Sequence, residues 1–571
     1  MDSARVFYRI FPNQPGAGIF KVIAAFPPSR ESHFSLQFAY WRPGRYMQGN
    51  FLKNLRDIAF YVPGENAPIP PDQIQRTDAL GWTINVESSS GLEVHYSMMA
   101  HELNAGSSYC DPDFIQINPV NLCLASLHQL HIPHAYQMEN VEHLSMANPL
   151  SQTGTGFQTA DFDHLADAPA WWAKHLMTEP FHVNGYEFFL HHTSKAPDFS
   201  EKVIPALRTI IQTQLSGFKN YEPNPFHFMV LATVQPSHHG VEHTHSTICQ
   251  LGPDDLLLSE KWDELLRLLS HEFYHVWNIK YIRPNAYLPY PLFFQKISPE
   301  TLWAEGVTTY MGDKILSLAG LWSPEEWIQK INIWWIRHLE SPGNTFASLF
   351  TSAEETWIDG YEAERIFRRR SIYNEGALLC FWLDVRLIQD SNGQACLQTL
   401  MRRLHEKSLQ ESGYTITDIL QEIRAMGFDN LAENAKEAFH FIGYYDAYIQ
   451  EALSILGLES TWCESAGTWS KSLGVVTFPN GRIAHVRENS PAMQLGIMPG
   501  DEWEKRPDAA LEITDVPEEL TFIRQGRQIQ VQWPKVNRQP WTFPQWTIPH
   551  LGSHPVFKTW MLAHAGISRH S

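Results

Sequence analysis

The sequence predicts a multidomain α+β protein, on three observations. The chain is 571 residues long, more than one ordinary hydrophobic core organises, so three or four domains are expected. Its first 160 residues break into short apolar runs punctuated by Pro, Gly and Asn, the pattern of strands and turns. The middle carries long stretches with apolar residues at helical intervals, and short strand-like runs return from about residue 465. The expected units are an amino-terminal β-sandwich-like domain (1–160), a mixed domain with a helical lobe (161–460), a small strand-rich domain (465–540) and an extension (541–571).

In the first unit, strands are expected at Phe7–Phe11, Ile19–Phe26, Phe34–Ala39 and Leu92–Met98, with no long amphipathic helix between them. Tyr40-Trp41-Arg42-Pro43-Gly44-Arg45-Tyr46 has the composition of a turn that can cap a hairpin. Asp161 to Pro169 is a polar stretch suited to a domain boundary. Beyond it, Tyr186–His191 and Phe226–Val234 read as strands flanking a helix near 201–217. The segment Pro236 to Ser246 holds His238, His239, His243 and His245, which invite a metal reading. In a strand, however, alternate residues point to opposite faces, so adjacent histidines do not converge easily.

The centre of the chain is more telling. Trp262, Leu265, Leu266, Leu269, Phe273 and Val276 recur at helical intervals and predict a helix over 261–282, ended by Pro284. A second periodic run after Pro299 contains Leu302, Trp303, Val307, Tyr310 and Met311. Ser323-Pro324-Glu325-Glu326 is a helix start, with Ser as cap and Pro at the first position, and helices are expected in pieces to about residue 455.

On the first of these helices, His271 and His275 are four apart and project from one face, with Glu272 beside them. Neutral imidazole is a preferred zinc ligand, and a catalytic zinc takes three protein ligands and keeps a fourth position for water. Glu305, on the second helix, supplies the carboxylate that completes a two-histidine, one-glutamate set for one Zn2+ ion. The competing reading is a chance His-Glu-x-x-His on a solvated helix; the second helix with Trp303-x-Glu305-Gly306-x-Thr308 favours the metal site.

His271-Glu272-x-x-His275-x-Trp277-Asn278-x-Lys280-x-Ile282-Arg283-Pro284, followed by Trp303-x-Glu305-Gly306-x-Thr308-x-Tyr310, resembles the glycyl aminopeptidase family of zinc metallopeptidases. These are gluzincins, and the resemblance implies an amino-terminal β domain, a thermolysin-like catalytic domain and a carboxy-terminal PDZ domain. Tyr281 departs from the pattern, standing where the family commonly has a basic residue. Trp41-x-Pro43-Gly44-x-Tyr46 and Asp163-x-Leu165-x-Asp167-x-Pro169 are similar to segments of the family's amino-terminal domain and domain junction.

Gly240-Val241-Glu242-His243-x-x-Ser246 resembles the family's edge strand beside the zinc, which implies that Gly240 and Glu242 meet the substrate and that Glu242 holds its α-ammonium. An exopeptidase must fix a free amine one residue from the scissile carbonyl, and a buried carboxylate does this by a charge-assisted hydrogen bond. The alternative for Glu242 is a surface glutamate on a strand. The Ser371-Ile372-Tyr373-Asn374-Glu375-Gly376 segment lies where the family has Tyr-x-Lys-Gly, implying that Tyr373 faces the zinc; Glu375 replaces the usual Lys. A phenol there can donate to an oxyanion without carrying charge, whereas packing is the alternative for a tyrosine at a helix start.

Leu473 to Val476, Gly481 to Val486, Ser490-Pro491-Ala492 and Leu495 to Asp501 resemble a PDZ domain. That fold adds a peptide to a sheet edge and holds its carboxy terminus; a domain that only stabilises the enzyme is the alternative. Residues 541–571, with Pro544, Pro549 and Pro555, are expected to pack on an adjacent domain.

The resemblance thus implies a zinc-dependent aminopeptidase with Glu272 as general base, Tyr373 as oxyanion donor, and peptides with a free amino terminus and a small first residue, Gly or Ala, as substrates. A zinc endopeptidase of the same fold and a non-catalytic PDZ-type peptide-binding scaffold are the alternatives. Net charge of -19 without a long basic run argues against a nucleic-acid partner. Hydrophobic residues at 43% and aromatics at 13% fit a globular protein. The six cysteines show no Cys-x-x-Cys spacing, so a Cys-based zinc site is not expected and most should be reduced core thiols. The first residues lack the apolar core of a signal peptide and no stretch is long enough to span a bilayer, so no membrane partner and a cytoplasmic location are expected.

Overall fold

The computed structural model describes residues 5–86, 90–154, 156–222, 225–361, 368–410, 413–458, 461–464, 472–478, 480–508, 511, 513–535, 544–547 and 554–562. Its amino-terminal part is β-rich. A seven-stranded sheet runs in the order Gln152–Thr153, Gly156–Thr159, His134–Met138, Val6–Gln14, Ile19–Phe26, Leu92–Met99, Leu55–Tyr61. Neighbours are antiparallel except Val6–Gln14 and His134–Met138. Along Leu92–Met99, Leu92, Val94, Tyr96 and Met98 are buried and the residues between them face outward, the two-residue period that the sequence shows. A four-stranded sheet centred on Phe34–Gln37 and Gly81–Ile84 packs against this face. The contact is made by rings, Phe38 on Tyr96 at 5.6 Å and Trp82 on Phe60 at 6.1 Å.

Beyond residue 176 a five-stranded sheet follows, in the order Met177–Val183, Tyr186–His192, Phe226–Ala232, Ser246–Gly252, Ser237–Glu242. Phe226–Ala232 has parallel neighbours on both sides and is buried from Phe226 to Leu231, so it reads as a continuous run and not as an alternation. Ser237–Glu242, which carries Gly240 and Glu242, is an edge strand. The helix Phe199–Gly217 lies between the expected strands.

The helical part begins with Trp262–Tyr274, whose Phe273 ring meets Phe226 and Phe228 of the sheet at 5.2 and 5.5 Å. Thr301–Leu318, Pro324–Glu340 and Asn374–Asp390 follow, and the helices run on to Leu456. Ser323 caps its helix in a reciprocal box with Glu326, as its sequence predicts. The predicted helix over 261–282 is shorter than its periodicity suggested, ending at Tyr274 with His275 as cap. Asn278 is the reason: its side chain donates to the Ala304 carbonyl at 2.8 Å and to the Thr308 hydroxyl at 3.0 Å, while its own carbonyl accepts from His275 Nδ1 at 2.8 Å. Hydrogen bonds to a neighbouring helix replace those that would continue this one, and Ile279 turns the chain at φ 124°.

Near the carboxy terminus, Leu473, Val475, Ile483, Phe522 and Trp533 belong to a small core separate from the main one. Its strands are Val475–Thr477 with Ile483–Val486, and Glu502–Trp503, Glu519–Arg524 and Arg527–Gln532. Pro544–Thr547 pairs with Thr461–Glu464, and Pro555–Leu562 inserts Trp560, whose indole donates to the Tyr310 hydroxyl at 3.0 Å. Residues 541–543, 548–553 and 563–571 lie outside the described residues. Cys110, Cys123, Cys249, Cys380 and Cys396 are buried and free. Among the described residues no helix is long and apolar enough to cross a membrane.

Candidate active site

His271, at the last turn of its helix, and His275, at its cap, bring their Nε2 atoms to 3.1 Å from each other. Glu305 Oε2 lies 3.8 Å from the first and 3.6 Å from the second. The approach of the carboxylate depends on glycines. A Cβ on Gly312 would stand 3.1 Å from His271 Cα, and one on Gly306 would stand 2.7 Å from Gly376 Cα. The helix carrying Glu305 therefore presses against the histidine helix on one side and against Asn374–Asp390 on the other, which delivers Tyr373 at the start of the latter. The His271 and Tyr373 rings are 6.4 Å apart.

The donor chemistry fits a divalent cation. His275 Nδ1 donates to the Asn278 carbonyl, so its Nε2 turns a lone pair inward. Burial drives the pKa of both imidazoles down, keeping them neutral. Two lone pairs and a carboxylate oxygen at these separations repel one another in the absence of a positive charge, and a point about 2 Å from all three, an ordinary Zn–N or Zn–O length, lies among them.

Three buried carboxylates crowd this point: Glu242, Glu272 and Glu305. Burial, then Glu242 and Glu305, raises the Glu272 pKa, and Glu272 Oε2 has no hydrogen-bond partner. Burial and Glu242 raise Glu305 too, against hydrogen bonds from Tyr46 and Tyr373. Tyr373 is held protonated by burial and by Glu305. Gly240 lies directly over Glu272, where a Cβ would fall 1.9 Å from Oε1. Gly240, Glu242, His271, Glu272, His275, Glu305 and Tyr373 all line one cleft of about 1120 Å³. The structure thus brings together every residue that the sequence singled out for the site.

The model for the M61 glycyl aminopeptidase matches residues 264–379, and that for the Peptidase M61 N-terminal domain matches residues 7–174. The chain thus matches models of the M61 glycyl aminopeptidase in both its amino-terminal and its histidine-bearing parts. It is accordingly a peptidase of the metallo-aminopeptidase class. Among solved structures, an aminopeptidase N family protein from Idiomarina loihiensis is 19% identical, with a TM-score of 0.84 over 97% of this chain and 100% of that one. At that identity the likeness is one of fold. An M1 zinc metallopeptidase from Deinococcus radiodurans is 11% identical, with a TM-score of 0.49 over 77% of this chain and 94% of its own. No curated protein sequence matches.

Other residues reach the site or its surroundings without having been read as site residues. The segment after Tyr40 makes the turn that its composition predicts, closed by an antiparallel bridge between Arg42 and Arg45, and it also enters the cleft. Its Tyr46 hydroxyl donates to Glu305 Oε1 at 3.3 Å, and a Cβ on Gly44 would fall 2.5 Å from Glu242 Oε2. The Trp-x-Pro-Gly-x-Tyr pattern was the available signal, pointing to a domain and not to the site. Asp167, in the polar junction, accepts from Lys280 Nζ at 2.8 Å, from the Thr244 amide at 2.8 Å and from His243 at 3.1 Å. Burial alone would raise the Asp167 pKa, but Lys280 and His243 outweigh it and hold the carboxylate ionised. His243 is thereby engaged as a hydrogen-bonding partner. Glu375, the departure from the family pattern, is buried against His338, whose Nδ1 donates to it, while the Tyr445 amide donates to His338 Nε2 at 2.9 Å.

Proposed function

We propose that the protein is a zinc aminopeptidase that removes the first residue from peptides with a free amino terminus and prefers a small one, Gly or Ala. The observation that carries this reading is the meeting of two imidazoles and a carboxylate at one point, beside a buried unpaired carboxylate, a protonated phenol and a third carboxylate. His271, His275 and Glu305 hold the zinc, which when bound polarises a carbonyl and lowers the pKa of water. Glu272 takes the proton of the attacking water and hands it to the departing amine; its raised pKa suits both acts. Tyr373 donates its hydroxyl proton to the oxyanion as charge develops there.

Glu242, on the edge strand and buried beneath Gly44, binds the α-ammonium. The small first residue is supported by the match of residues 264–379 to a glycyl aminopeptidase model. The units over 1–160, 161–460 and 465–540 are read as an amino-terminal β domain, a thermolysin-like catalytic domain and a PDZ-like domain whose sheet edge takes a peptide carboxy terminus. The separate small core supports the last of these boundaries.

Paired substrates with free and acylated amino termini test the reading. Glu242→Ala should lower kcat/KM on free-amine peptides about a hundredfold, the loss of a buried charge-assisted contact, and change acylated ones far less. Equal losses on both would make the enzyme an endopeptidase.

A further inference from the structure

Arg42 is 5% exposed, yet among the described residues no carboxylate lies within 4 Å of its guanidinium or that of Arg45. Arg42 Nη1 donates to the Pro43 carbonyl at 3.0 Å and Nη2 to His239 Nε2 at 3.2 Å. Two neutral acceptors leave a five-donor fork unsaturated, an expensive way to bury a charge. Elsewhere in the chain, part-buried Arg267 is matched in full by Asp313, with Nε and Nη2 at 2.9 and 2.7 Å from its oxygens. The fork is also held in place: Gly106 packs against it, and a Cβ there would stand 2.4 Å from Nη2. Burial, with Arg42 and Arg45 nearby, pushes the His239 pKa down to about 3, so this imidazole is a neutral acceptor at working pH.

The position of the fork follows from the edge strand. Glu242 marks the amine end, Gly240 lies over Glu272, and His239, about 3.3 Å further along, carries Arg42. Arg42 and Arg45, the latter over the Tyr361 ring at 5.3 Å, line the same cleft as Gly240, Glu242 and Glu272. We propose that Arg42, assisted by Arg45, binds a carboxylate on the residue that follows the scissile bond, so that dipeptides or peptides with an acidic second residue are the favoured substrates. This rests on the aminopeptidase reading above. Arg42 as a mere counter-ion to Glu242 and Glu272 predicts no such preference.

The test compares glycyl-leucine with glycyl-leucinamide, and glycyl-aspartamide with glycyl-asparaginamide, on zinc-loaded protein. In at least one pair, kcat/KM should favour the anionic member by about tenfold or more, and the pair that responds names the source of the carboxylate. Arg42→Gln should shrink that ratio to within about twofold, and Arg42→Lys, which keeps the charge but loses the fork, should leave an intermediate ratio. Wild-type ratios near one in both pairs overturn the proposal, even where Arg42→Gln fails to fold. Equal losses on both members of a pair also overturn it, leaving Arg42 as a counter-ion. If no glycyl substrate of either kind is cleaved, the aminopeptidase reading itself falls and the proposal with it.

Discussion

One pair of helices handles buried charge in two opposite ways. Toward one end, Lys314 of Thr301–Leu318 and Asp384 of Asn374–Asp390 meet at 2.6 Å, both buried. The Tyr310 hydroxyl and the Leu397 amide donate to the same carboxylate at 2.6 and 2.7 Å. Three donors, one of them the opposite charge, meet this carboxylate, so the group is scaffold. Nine residues earlier on the first helix, roughly 13 Å along its axis, Glu305 is equally buried beside Glu242 and Glu272. Among the described residues no Lys or Arg comes within 4 Å of these three. The lesson is that a matched buried charge stabilises a fold, whereas an unmatched cluster is one that the proposed cation and substrate amine would satisfy.

Substitutions on the two sides should diverge. The largest effect is expected at the unmatched side: Glu272→Gln should cut turnover about a thousandfold while metal analysis still finds zinc bound. Turnover near wild type would move the general base elsewhere. On the matched side, Asp384→Asn strands Lys314 and should cost about 3 kcal/mol in urea unfolding, with zinc content unchanged. A drop in zinc would mean that the two regions are not independent. Tyr373→Phe should lower kcat about a hundredfold with little change in KM; a change in KM alone would make this phenol a binding group.

The smallest effect concerns a third arrangement, buried groups that stay neutral. His191 Nε2 and His227 Nδ1 lie 2.9 Å apart, and burial pushes their pKa values down to about 3 and about 4. Unfolded histidines protonate below about 6.5 while this pair stays neutral, so the unfolded chain binds more protons on acidification. Stability should be full above that pH and fall toward pH 4 by roughly 1 kcal/mol per histidine per pH unit. Denaturant midpoints at pH 7 and pH 5 measure the slope, and His227→Phe should flatten it; an unchanged slope would place the titrating groups elsewhere.

The residues that were legible in the sequence are those whose signal is local. The alternation of Leu92–Met99, the cap at Ser323 and the four-residue spacing of His271 and His275 each lie within one element, where backbone geometry alone fixes which side chains share a face. The end of the histidine helix was not legible, because Asn278 is claimed by Ala304 and Thr308 on another helix. Nor was the entry of Tyr46 into the site, a contact that spans 259 residues of chain. Glu375 reads as a defect in a motif until His338, 37 residues away, is seen to donate to it.

By itself the sequence determined the chemical inventory: which side chains are available as donors, base and phenol, and which face of its own helix or strand each one occupies. Tertiary structure decided the distances. Glu305 comes to 3.6 and 3.8 Å from the imidazoles because glycines at 306, 312 and 376 let three helices close on one another. Periodicity orients a side chain about its own axis, but only close packing between elements sets how far apart two axes lie.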